Sequence, residues 1–228
     1  MKKVKIFSSG GCGTRWLQGI TKFYTIPVDV PSDFPTHLPA SVVKKNFIVD
    51  RYFDKGILIY ADPREVFLHI IRKQPDRRIK HFQHLGCEAE ETSRLLEIGN
   101  KNRLGNIEKE LHQVKSFKGL ENHYDDWIKT KFPIDVAFVK SESLAIEANG
   151  KKLGEFLELE ESEIFGQVIA DRFSPRQTKL SQCSPSQRAH LNNLFGSLVR
   201  KQASKPPVWI KKRFMVPVPT ENGTITLN

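Results

Sequence analysis

An α/β domain with a mainly parallel sheet, helices on both faces and hence three α/β/α layers, is the fold class this sequence predicts. Three observations carry it. Residues 56–61 (GILIYA) and 134–139 are short apolar runs of the kind that form strands buried on both sides. Stretches with helical apolar spacing alternate with them. The chain also opens with alternating Val4 and Ile6 among lysines, then breaks into Ser9-Gly10-Gly11, as a strand entering a glycine turn does.

The elements follow in order. Residues 3–8 read as the first strand, and residues 14–23 as a helix with Trp16, Leu17 and Ile20 inward. Prolines at 27, 31, 35 and 39 forbid a helix and leave residues 26–39 as a long extended loop. The strand over 56–61 ends in Asp62-Pro63-Arg64-Glu65, a capped helix start, and Val66, Phe67, Ile70 and Ile71 fill the inner stripe that follows. Residues 88–130 read as helices, with Ile107, Leu111 and Val114 at helical spacing. After the strand over 134–139 comes a helix around 152–159. Ser184-Pro185 then opens a further helix with Leu191, Leu194, Phe195, Leu198 and Val199 on one stripe. The last 25 residues hold four prolines and little periodicity.

With 228 residues the chain can bury one sizeable core, and one domain is expected: residues 1–170 as its body, and 171–228 as a segment packed on it or extending from it. Fifteen phenylalanines exclude a chain that stays solvated. No apolar run nears the ~20 residues of a membrane helix, and the basic start lacks a signal-peptide core. No membrane partner is expected. Cys12, Cys87 and Cys183 are too few and too far apart for a disulfide scaffold and fit a reduced, cytoplasmic compartment. Of the net charge of +10, residues 171–228 supply ten Lys/Arg against Asp171 and Glu221, so an anionic partner is implied there. Nucleic acid is the less favoured anion, because the segment lacks interleaved aromatics. His81, His84 and Cys87 lack a clear fourth ligand, so no metal is expected.

The turn itself, Gly10-Gly11-Cys12-Gly13-Thr14-Arg15, lets successive backbone amides point into one concavity at a helix start, which suits a phosphate. No Lys lies in the turn, so the ordinary triphosphatase motif is missing. A tight turn with no ligand is the plainer alternative.

Residues 12–17 (CGTRWL) nonetheless resemble the Lys-Ser/Cys-Gly-Thr-Thr-Trp-Leu loop of the sulfotransferases. Residues 36–39 (THLP) resemble that family's Lys-Thr-His-Leu-Pro, and residues 57–66 its strand followed by Arg-Asn-Pro-Lys/Arg-Asp-Val. Trp127, residues 136–144 and residues 154–159 are similar to its later segments, so the resemblance covers residues 4–159. It implies a P-loop nucleotide-hydrolase-like fold and sulfuryl transfer from 3′-phosphoadenosine 5′-phosphosulfate to a hydroxyl or amine. The acceptor would be a small molecule or glycan, anionic ones included. His37 would be the general base, and Arg15 would replace the absent lysine. Gly10, Gly11, Cys12, Gly13, Thr14 and Arg15 would hold the phosphosulfate, and Trp16 would face the adenine. Arg64, His69 and Arg72 would stand near the 3′-phosphate. The departures are that the family's loop Lys aligns with Gly11, its 3′-phosphate Arg and Ser with Ala61 and His69, and its Tyr-Glu-Asp with Ser141-Glu142-Ser143. They leave open a catalytically impaired relative that binds a nucleotide or polyanion. Taken without the resemblance, Trp16 reads equally as core, His37 as a surface residue, and Arg64, His69 and Arg72 as a solvated face.

Overall fold

The computed structural model describes residues 1–26, 36–46, 52–73, 75–100, 111–173, 180–214, 218–219 and 225–226. Three parallel strands, β1 (Val4–Ser8), β2 (Lys55–Tyr60) and β3 (Asp135–Lys140), lie side by side in that order. A fourth, β4 (Val208–Lys211), joins the outer edge of β3 antiparallel, with Val136 opposite Lys211 and Val139 opposite Val208. All six residues of β2 are buried, so both faces of the sheet are covered there. The class expected from the apolar runs is therefore observed: α/β, with an open and mostly parallel sheet.

Helix α1 (Thr14–Thr21) returns from β1, and α2 (Ala40–Asn46), for which no expectation was drawn from the sequence, follows the proline-rich stretch. Of that stretch, residues 27–35 lie outside the described residues. Helix α3 (Pro63–Ile71) starts as its sequence foretold: the Asp62 carboxylate accepts from the Arg64 amide at 2.9 Å, and Pro63 occupies the first turn. Helices α4 (Pro75–His84) and α5 (Ala89–Asn100) pack together, and α6 (Gly119–Lys129) leads into β3. Ile107 lies outside the described residues. Leu111 and Val114 are buried, but Val114 sits beyond the helical turn, in irregular chain.

Helix α7 (Glu147–Phe156) begins and ends earlier than expected and packs along α8 (Ser162–Arg172). Helix α9 (Pro185–Ala203) carries a full capping box, in which the Ser184 side chain accepts from the Gln187 amide while the Gln187 side chain accepts from the Ser184 amide. A separate two-stranded ribbon pairs β5 (Val218–Pro219) with β6 (Ile225–Thr226). The core is strongly aromatic. Phe7 packs on Phe53 and Trp127, Phe67 on Phe117 and Phe195, and Phe138 stacks on Trp209 with ring centroids 3.9 Å apart.

The basic C-terminal segment is a structural part of the domain. Lys201 bonds Glu121 and Asp125 on α6, and the Lys211 ammonium donates to the carbonyls of Trp127, Ile128 and Thr130 at the end of that helix. Lys212 pairs with Asp135. Of the segment's ten cations, Lys201 and Lys212 thus pair with carboxylates of the domain body, and Lys211 is held by backbone carbonyls. Among the described residues no helix is long and apolar enough to cross a membrane, and no group of His, Cys, Asp and Glu could hold a metal ion.

Candidate anion site at the carboxyl end of the first strand

Backbone directions place the site. Lys3 accepts from Asp54 and Lys55 on the β2 side, so residues 2 and 8 face the other way. There Ile26 N–H donates to the Lys2 carbonyl, and Ser8 N–H donates to that of Thr36 at 2.8 Å. The chain therefore crosses to opposite sides of β1, and a crevice at the strand's carboxyl end is where α/β sheets take ligands.

The turn that fills this end runs with φ of 92° at Gly10, 67° at Gly11 and 81° at Gly13, all left-handed values that favour glycine. Two histidine rings also press on it. A Cβ at Gly10 would lie 2.0 Å from the His81 ring, and one at Gly11 2.9 Å from that of His69. Side chains pin the turn from inside. The Thr14 hydroxyl donates to Ser8 Oγ at 2.7 Å, the Gly10 amide donates to the same oxygen at 3.2 Å, and the buried Cys12 thiol donates to the Gly10 carbonyl at 2.9 Å. Burial pushes the Cys12 thiol up to about 12, so it anchors the turn rather than reacts. Among the described residues, the amides of Gly11, Cys12, Gly13, Thr14, Arg15 and Trp16 meet no protein acceptor. Gly13 caps α1 without a side-chain oxygen, and the first turn of that helix holds no acid. The exposed Arg15 has no carboxylate partner among the described residues.

His37 stands beside this turn. Its Nδ1 is 2.9 Å from the Ser8 carbonyl and 3.1 Å from Ser8 Oγ. A carbonyl can only accept, so Nδ1 carries the proton and Nε2 is left as a bare acceptor with no protein partner among the described residues. Burial holds His37 down to about 4, neutral at physiological pH. The His81 ring lies 4.6 Å from it, centroid to centroid. His81 is only 4% exposed, and burial lowers it to about 3. Its Nε2 donates to the Ser9 carbonyl at 2.8 Å, and its Nδ1 lies 2.8 Å from Lys73 Nζ. Burial first, then the neighbouring Arg15, holds the Lys73 ammonium below the ordinary lysine range. His123, buried and held down to about 4 by desolvation, bonds the Leu38 carbonyl and steadies the segment after His37.

The residues singled out from sequence thus fall into two groups. Gly10, Gly11, Cys12, Gly13, Thr14, Arg15, His37 and His69 gather at the turn. Arg64, Arg72 and Trp16 are engaged elsewhere. Arg64 forks onto the Asp62 carboxylate and reaches Asn192 of α9. Arg72 donates through Nη1 to Gln182 at 3.3 Å, while its buried Nε has no partner among the described residues. Trp16 donates from Nε1 to the Arg172 carbonyl at 3.1 Å and meets Phe173 edge-on. Lys73 and His81 were missed as site residues. The only signal for Lys73 was a basic residue just past a helix that starts beside the turn. His81 was weighed only as a metal ligand.

No protein family, curated protein or solved structure matches this chain. The geometry at the end of β1 therefore carries the functional reading without a relative to lean on.

Proposed function

We propose that the protein is a sulfotransferase-like enzyme on a P-loop-like fold, moving a sulfuryl group from 3′-phosphoadenosine 5′-phosphosulfate to a hydroxyl or amine acceptor. One observation carries the reading: a cup of amides and a neutral histidine Nε2, all without a protein partner among the described residues, share the carboxyl end of β1. Sulfuryl transfer resembles phosphoryl transfer in asking chiefly for positioning and for fixed positive potential around oxygens. Amides need no deprotonation or reorientation to supply it.

The residues present fit the phosphosulfate end of the donor, through the amides and the Arg15 side chain that have no partner among the described residues. For the 3′-phosphate, Arg72 retains an orphaned Nε, whereas Arg64 is held by Asp62 and Asn192. When bound, the donor supplies the activated sulfur–oxygen bond. The chain's own part is to orient that end with the Gly11 to Thr14 backbone, to offset charge with Arg15, and to accept the acceptor's proton at His37 Nε2. The Ser8 carbonyl fixes the tautomer that this requires. An anion in the cup would raise the affinity of His37 for that proton.

Gly11 in place of a loop lysine favours a second reading, a nucleotide- or polyanion-binding protein without turnover. Radiolabelled donor with a panel of hydroxyl and amine acceptors decides between them. The enzyme reading expects labelled product that His37→Ala abolishes while 3′-phosphoadenosine 5′-phosphate still binds. Binding without product leaves the second reading, and neither binding nor product overturns both.

A further inference from the structure

We propose that Lys73, held against the glycine turn by His81, is a second cation of this anion site beside Arg15, and that the Lys73–His81 pair selects oxyanions of the pyrophosphate or phosphosulfate class. This deepens the preceding reading and rests on its premise that the turn receives an oxyanion.

A lysine inside the turn is excluded by the turn's own shape. At position 11 its Cβ would sit 2.9 Å from the His69 ring, in backbone with φ of 67°. Any lysine that joins Arg15 at the site must therefore come from another element. Lys73 follows α3 by two residues, and its amide donates to the Ile70 carbonyl in the turn that ends that helix. Its Nζ reaches His81 Nδ1 at 2.8 Å, while His81 Nε2 reaches the Ser9 carbonyl, also at 2.8 Å. Ser9 O can only accept, so Nε2 bears the hydrogen and Nδ1 accepts from the ammonium. One of the three Lys73 N–H bonds is spent on this, and the other two meet no protein acceptor among the described residues.

Charge points the same way. Among the described residues no carboxylate lies within ion-pair reach of Lys73 or Arg15, and the charged side chains that disfavour the Lys73 ammonium are Arg15 and Arg77. Two cations close enough to disfavour each other, neither paired with a carboxylate among the described residues, suit a partner of at least two negative charges. Gly10 belongs to the same device, because any larger residue there would evict the His81 ring that aims Lys73. His81 is thus a positioning residue, and Lys73 is the group that meets the ligand.

Calorimetric titration with inorganic pyrophosphate, beside a separate titration with 3′-phosphoadenosine 5′-phosphate, tests this on the full chain. Wild type should bind pyrophosphate. Lys73→Met should weaken it by about tenfold or more, the loss expected for a charge-assisted contact, and Lys73→Arg should stay within about threefold. His81→Phe should weaken binding by less than Lys73→Met. The Lys73 Nζ resonance should move on saturation of wild type with pyrophosphate. Equal affinity in Lys73→Met and wild type, or no pyrophosphate binding by wild type, overturns the proposal. If Lys73→Met does not fold, a wild-type Nζ resonance that stays still overturns it alone. Pyrophosphate binding without adenosine bisphosphate binding leaves Lys73 in place and removes the sulfotransferase reading instead.

Discussion

Gly10 and Gly13 share a backbone problem but not a steric one, and replacing each by alanine separates the two. At φ of 92° and 81°, either alanine pays for a left-handed conformation, about 1–2 kcal/mol. At Gly13 nothing lies within 4 Å of the added methyl, so Gly13→Ala should cost no more than that. At Gly10 the methyl would overlap the His81 ring, 2.0 Å from Cε1. The ring must move, losing its bonds to Ser9 and Lys73 at about 1 kcal/mol each, and the surrounding core must repack for about 1 kcal/mol more. Gly10→Ala should therefore cost about 4–5 kcal/mol, some 3 kcal/mol beyond Gly13→Ala. Urea denaturation reads both, through midpoints shifted at unchanged slope. Two variants within about 0.5 kcal/mol of each other would show that His81 does not rest on the turn.

Two further expectations follow from other parts of the molecule. His37, His81 and His123 are held by burial to about 4, 3 and 4, below their unfolded value of 6.5, so the unfolded chain binds more protons. Their contribution to stability is complete above pH 6.5 and is lost as the pH falls towards 4, at up to about 4 kcal/mol per pH unit where all three take part. Denaturation at pH 7, 6 and 5 should show this decline, and equal stability across the range would refute it. Lys211→Met leaves three carbonyls at the end of α6 without their ammonium and should cost about 2 kcal/mol, or about 4–8 °C in Tm. A melting point unmoved by this change would mean that water replaces the ammonium freely.

The sheet and the turn were legible for local reasons. An apolar run such as residues 56–61 has no amphipathic alternative, and Asp62-Pro63 writes a helix start into four residues. Helix α7 was misplaced because Gly150 reads as a break. In the fold it is where α7 meets Gly166 of α8, with 2.8 Å from a hypothetical Cβ to the Gly166 Cα. Strand β4 was hidden because prolines flank it and Lys211 interrupts its pattern, a lysine whose role is fixed only by the distant end of α6. At the site, the glycines announced themselves through a local pattern, whereas His37 was picked out only by the resemblance of residues 36–39 and reads alone as a surface residue. Lys73 and His81 did not announce themselves, since what unites them is a ring placed beside Ser9 by packing between elements far apart in sequence.

The position of β4 bears on how the chain reaches its native state. Strands β1 to β3 can associate once residue 140 is available, yet the far side of β3 has no partner until residues 208 to 211 arrive. Until then the stretch around Val136 and Phe138 offers an unpaired apolar border, and Phe138 lacks the indole of Trp209 that later stacks on it. A late-docking strand of this kind makes chains stalled or cut before residue 208 the species most prone to stick to one another.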